Sequence, residues 1–387
     1  MKRQSKKHEN FQESFLYTIK DNALRYVFMS VVLLNLSLEN EFENSPMNFL
    51  FFDNHSETNE IILINAFMLS CFFFLQNPLQ LKRDQSRSFT LVLKKITGFC
   101  AVLERDEMEE FKLYRKKPNA ISFGRLYTAK MVVPFDNKKR TIRVWVPDCY
   151  DENDTATRYP TLYMCDGQNM VDEYTTAYGE WNLDEVAERL IFKGARPFLL
   201  VGVDCPCGEM ERASEMAVPG IFRSSMKDLA NYDLKGEVYV DFFFNTLKPR
   251  IDRMFHTDPR KEYTGFGGSS MGGLMSFYGF VRHREKIGFC LCFSPGFCIY
   301  RKPEFQAAIK AWNPDPKEYG MIYLYSGGKG FERIFPRPTE FVYKHLLSKG
   351  FSRDQTAFVY DSNAIHHESA WNQYAYGALK FWLDSLK

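Results

Sequence analysis

Glycine is absent ahead of Gly98 in this chain of 387 residues, although average usage of about 7% would place several there. That stretch is crowded with Phe, Leu and Asn, and residues 1–107 are read as an atypical extension. Long apolar runs are missing too. The two best, residues 26–36 and 61–75, fall short of the roughly 18 residues expected of a membrane span. Lys2, Arg3, Lys6 and Lys7 precede the first run as in a signal peptide, but the spacing is too long and no small-residue cleavage site follows. Charge of one sign is lacking. Lys and Arg total 50 against 48 Asp and Glu, which leaves no electrostatic footprint for nucleic acid. The nine cysteines show no metal-site spacing, because Cys205 and Cys207, like Cys290 and Cys292, sit one residue too close for a zinc or redox pair. No metal and no cofactor are expected, and buried thiols fit a reducing, cytoplasmic compartment.

What is present centres on Gly268-x-Ser270-x-Gly272. A short strand-like ending (residues 262–268) precedes it, and apolar residues at helical spacing (274–281) follow. That spacing sets a serine on a sharp strand-to-helix turn with its hydroxyl above a sheet, in a backbone geometry that only small neighbours tolerate. A serine hydroxyl needs a base to take its proton, and the chain has only seven histidines. His8 and His55 lie in the extension. His256 and His283 flank the elbow before the next strand, and His345 falls inside a helix-like stretch (339–349). His366 and His367 follow a strand-like run (356–360) and precede the last helix, where the base of an α/β-hydrolase belongs. The residues alone leave these two tied.

Several segments in order resemble the esterase family typified by enterochelin esterases. This broad α/β-hydrolase group also takes in feruloyl and acetyl-xylan esterases, S-formylglutathione hydrolases and mycolyltransferases. Residues 140–147 resemble its first strand ending in proline, 159–169 its "YPxLYxxDGQN" segment, and 197–204 the next parallel strand. Glu211, Arg212 and Glu215 resemble the loop after that strand. Residues 265–273 form the elbow, and His366-x-Glu368-x-x-Trp371 resembles the "HxExxW" motif. The resemblance implies that His366, at the first position of that motif, is the base. It implies a catalytic acid about four residues beyond the strand at 320–326. Gly330 stands near that place and Glu332 two residues on, so Glu332 is the first choice and Asp361 the second. It also implies oxyanion donors at the N–H groups of Met271 and Gln168, with Gly167 allowing close approach. Gln168, Asn169, Arg212, Glu215 and Trp371 become candidate substrate contacts. Arg212 has a competing reading as a structural tie to Glu215, three residues on.

Extended apolar runs at 142–147, 161–165, 198–203, 263–267, 287–293, 322–325 and 357–360 alternate with helix-like stretches such as 182–192, 237–250 and 271–284. This alternation predicts a mostly parallel central sheet covered by helices on both faces, opened by an antiparallel hairpin of 126–133 and 141–146. The expected organisation is an α/β-hydrolase domain over 108–387 behind the extension. That extension is open to three readings: a helical accessory domain, a membrane-associating segment, or an artefact of start-site choice at Met108, about where family members begin. The expected activity is that of a serine carboxylic-ester hydrolase acting on a small-molecule or carbohydrate-linked ester. An acyltransferase using the same acyl-enzyme and a catalytically silent binding module are the alternatives.

Overall fold

The computed structural model describes residues 108–115, 121–176, 179–206 and 208–386; the readings of residues 1–107 lie outside them. Among the described residues nine strands are formed: β1 (Lys112–Leu113), β2 (Arg125–Val133), β3 (Lys138–Val146), β4 (Thr161–Cys165), β5 (Leu199–Val203), β6 (Thr264–Ser269), β7 (Phe289–Phe293), β8 (Met321–Gly327) and β9 (Thr356–Asp361). They make one sheet in the order β1-β2-β3-β5-β4-β6-β7-β8-β9. Pairing is antiparallel from β1 through β3 to β5 and parallel from β5 to β9. Eight α-helices accompany the sheet among the described residues: α1 (Leu183–Phe192), α2 (Glu209–Glu215), α3 (Gly236–Asp241), α4 (Lys248–Met254), α5 (Met271–Arg282), α6 (Lys302–Ala311), α7 (Pro336–Ser348) and α8 (Glu368–Leu383). A π-helical stretch, Phe242–Leu247, joins α3 to α4. This is the mostly parallel, helix-covered sheet that the alternation predicts, and the α/β-hydrolase fold that the resemblance implies. Among the described residues no helix is long and apolar enough to cross a membrane.

The central strands read as continuous apolar runs because both of their faces are covered. β7 shows the arrangement. Cys290 and Cys292 face one core with α3, α4, α5 and α7, whereas Phe289, Leu291 and Phe293 face a second core with α1 and α8. Both thiols are fully buried, as the alternation of the strand predicts. In the second core Trp382 stacks on Phe289 at 5.1 Å and 7° and donates its indole N–H to the carbonyl of Glu262 at 3.0 Å. Trp382→Ala removes that ring from a close-packed interior and strands the Glu262 carbonyl. A loss of about 3–5 kcal/mol of unfolding free energy is expected, measured as a lower urea midpoint at unchanged m-value.

Strand order fixes where chemistry can occur. β5 lies on one side of β4, and β6 to β9 extend from the other. The chain direction of the winding therefore reverses between β4 and β6. In open α/β sheets the crevice at the carboxyl ends of such strands is where ligands bind. The Asp166–Asn169 turn leaves β4 there, and Ser270 leaves β6 there.

Candidate active site

Ser270 is the residue immediately before α5, with φ 58° and ψ −117°. A non-glycine residue in such a region costs on the order of 1–3 kcal/mol and persists only where its surroundings enforce it. Three backbone hydrogen bonds do so. The Ser270 N–H donates to Phe293 O at 3.0 Å, and its carbonyl accepts from Leu274 N at 3.1 Å and Gly296 N at 2.8 Å. The glycines of the motif answer to packing. A Cβ on Gly268 would lie 2.7 Å from the Gly272 carbonyl carbon, and one on Gly272 would lie 2.9 Å from Cys165 Cβ and 3.1 Å from Asp166 Oδ2. The elbow is thus wedged between its own helix and the end of β4.

Ser269 pairs with Phe293, Phe293 with Tyr325, and Gly327 with Asp361, so β6 to β9 end in register at one edge. Glu332 sits on a short 3-10 turn, Gly330–Ile334, just past β8. It is fully buried. One carboxylate oxygen, Oε2, meets His366 Nδ1. The other, Oε1, accepts from the Gly327 N–H at 2.9 Å and from the Ser294 hydroxyl. Ser294 in turn accepts the Trp371 indole N–H at 3.0 Å. The imidazole of His366 lies against Phe335 at 4.5 Å and meets the edge of Trp371 at 5.0 Å. Asp361, the second choice for the acid, is taken up by the Tyr374 hydroxyl at 2.7 Å and the Asn363 N–H at 2.9 Å. The histidine pair divides its work. His367 is the N-cap of α8, its Nδ1 accepting from Ser369 N at 3.1 Å. His283 and His345 are held elsewhere, by Asp241 and by the Trp312 carbonyl. Among the described residues no hydrogen bond joins the Ser270 hydroxyl to His366 Nε2.

Met271 is the first residue of α5, a position whose N–H has no acceptor inside its own helix. Gln168 lies in the 3-10 turn Gly167–Asn169, which Asp166 opens in the left-handed conformation. Gly167 is required by a close approach of two strand ends. Its Cβ would stand 2.6 Å from the carbonyl carbon of Gly202 in β5. The Gln168 side chain is tied to Cys205, donating from Nε2 to Sγ and accepting from the backbone N–H, both at 3.1 Å.

The other four candidate substrate contacts fare differently. Asn169 Nδ2 donates to Glu368 at 3.2 Å, and burial raises the Glu368 carboxyl above its ordinary pKa. Trp371 is 3% exposed and stacked on Trp181. It supports His366 and Ser294 from beneath and is not a surface open to substrate. Arg212 and Glu215 lie on α2, not on a loop, and they do not pair with each other. Arg212 grips Asp166 through two 2.7 Å hydrogen bonds. Glu215 is buried against Arg140 at 2.9 Å, and its pKa is pushed up to about 7 by burial, with Arg140 opposing. Two residues of the site carry no role in the sequence reading: Ser294, and Asp166, which enters it only as part of the 159–169 segment. A small polar residue directly after an apolar strand at the carboxyl edge is the signal that marks both.

Residues 135–373 match the protein family described as "Putative esterase", and the chain belongs to that family. The uncharacterized protein YbbA of Bacillus subtilis (strain 168) is 22% identical over 251 residues, covering 63% of this chain and 92% of that one. Among solved structures, a ferulic acid esterase superposes with a TM-score of 0.50 at 17% identity, covering 67% of this chain and 98% of its own. The enterochelin esterase from Shigella flexneri gives a TM-score of 0.52 at 16% identity, with 70% of this chain and 61% of that chain covered. These likenesses show a shared fold.

Proposed function

We propose that the protein hydrolyses carboxylic esters through an acyl-enzyme on Ser270. The observation that carries this reading is the buried Glu332 carboxylate bound to His366 Nδ1, at the sheet edge where the strained Ser270 turn also ends. With Nδ1–H held by the carboxylate, Nε2 is the nitrogen with a free lone pair. It takes the Ser270 proton as Oγ attacks the ester carbonyl. Catalytic hydrogen bonds in unliganded enzymes are often long and tighten only with substrate in place. The tetrahedral oxyanion is held by the Met271 and Gln168 N–H groups. Collapse breaks the C–O bond, and His366 returns the proton to the departing alcohol. Water then attacks the acyl-enzyme with His366 again as base, which releases the acid and restores Ser270. Glu332 holds Nδ1–H and stabilises the imidazolium that forms. The whole constellation falls within residues 108–387, to which we assign catalysis.

Incubation with a fluorophosphonate tests the activation of this serine. Peptide mass spectrometry is expected to find a single adduct, on Ser270, formed at a rate that competes with turnover of a short p-nitrophenyl ester. An active protein with no Ser270 adduct would rule out the mechanism.

A further inference from the structure

Asp166 ends β4 in the left-handed region, at φ 56° and ψ 52°, and its side chain is 7% exposed. Its carbonyl accepts the Asn169 N–H at 2.9 Å, which closes the turn that carries Gln168. Its carboxylate faces the first turn of α5, since a Cβ on Gly272 would come within 3.1 Å of Oδ2. That helix end bears a partial positive charge from its unpaired N–H groups. A bare carboxylate there would draw on the field that a developing oxyanion needs, and would repel the oxyanion itself. Arg212, 46 positions along the chain, meets it with both arms: Nε to Oδ1 and Nη2 to Oδ2, each at 2.7 Å. A bidentate fork cancels the charge and also fixes the plane of the carboxylate. The field of Asp166 reaches its neighbours, because burial first and this carboxylate second push the Cys165 and Cys205 thiols up.

We infer that Arg212 is a positioning residue: it neutralises Asp166 and holds the Asp166–Asn169 turn, so that the oxyanion forms beside a balanced ion pair and not beside a lone carboxylate. This rests on the acyl-enzyme reading above. It replaces the role of Arg212 as a substrate contact.

The test is steady-state hydrolysis of a short p-nitrophenyl ester by the full chain in five forms: wild type, Arg212→Gln, Asp166→Asn, the double variant and Arg212→Lys. Arg212→Gln is expected to lower kcat about 100-fold, the scale of losing one oxyanion donor, with little change in KM. Adding Asp166→Asn is expected to restore kcat by about tenfold or more, because no unpaired charge is left. A merely structural role for Arg212 would give no such rescue. Arg212→Lys keeps the charge without the fork and is expected to lose about tenfold in kcat; it carries the test if Arg212→Gln does not fold, and an unchanged kcat there overturns the inference. A raised KM with unchanged kcat in Arg212→Gln, or a double variant no better than that single variant, overturns the inference. Fluorophosphonate labelling of the wild type separates the two levels. A wild type that resists labelling takes away the acyl-enzyme and this inference with it. A labelled wild type with unaffected Arg212 variants removes the Arg212 role alone.

Discussion

Ser270→Ala is expected to lower kcat for a short p-nitrophenyl ester by about 10⁴- to 10⁶-fold, with KM little changed and the fold intact. In the proposed mechanism the loss is large because Oγ is the atom that forms the covalent bond, and no other group supplies the acyl-enzyme. The fold is expected to survive because the elbow is held by its backbone, through Phe293 O, Leu274 N and Gly296 N, and not by the hydroxyl. Alanine leaves the φ of 58° as costly as serine does. Ser270→Gly does not, since glycine enters that region freely. It is expected to be equally inactive and more stable than Ser270→Ala, by on the order of 1 kcal/mol. Thermal melting of the two variants beside the wild type reads this difference. Equal melting temperatures would mean that the turn stores no strain, and residual turnover above about one part in a thousand would move the nucleophile elsewhere.

The sequence carried the frame of this site better than its fittings. β4 is legible from end to end because Thr161–Cys165 is apolar after its first residue and stands between Pro160 and the Asp166-Gly167 turn. The elbow is legible because Gly268 and Gly272 have no room for side chains. Glu332 is harder to place by spacing. Gly330, at φ 65°, begins a 3-10 turn that swings the chain round, so the carboxylate arrives two residues late and still points inward. Arg212 illustrates a limit of local reasoning. Glu215 is its near neighbour in the chain, and both end up on one short helix. Yet the guanidinium is satisfied by Asp166 at the end of another strand, and Glu215 by Arg140 from β3. Ion-pair partners are chosen by the packing of elements, which no short-range pattern encodes. Trp371 was misplaced for the same kind of reason. A motif position says that the residue matters near His366, but only the docking of α8 on the sheet shows that its ring is buried beneath the imidazole.

Glu332→Gln is expected to lower kcat by about 10³- to 10⁴-fold without raising KM, and the reason lies in which atoms of the carboxylate are already spoken for. Oε1 accepts from Gly327 N–H and from the Ser294 hydroxyl, and Oε2 accepts from His366 Nδ1. A glutamine has one acceptor oxygen to offer. If that oxygen stays on the Gly327 side, its NH₂ faces His366 and forces Nδ1 to accept. The ring proton then moves to Nε2, and the imidazole can no longer take a proton from Ser270. If the amide flips, the NH₂ collides with the Gly327 N–H, a backbone donor that cannot turn round. The first arrangement is cheaper, because a hydrogen bond is kept at every contact, so the variant is expected to fold while holding the wrong tautomer. An acid-to-amide change of this kind in serine proteases costs about 10⁴ in kcat for the same reason. Two further readouts separate this from general damage. Fluorophosphonate labelling of Ser270 is expected to slow in parallel with kcat, since both need the same base. In the Ser270→Ala background, Glu332→Gln is expected to cost almost nothing more, because residues that act as a unit do not add. A Glu332→Gln protein that is folded, labels Ser270 at the wild-type rate and loses only KM would show that the buried carboxylate is a structural plug, and that His366 works without it.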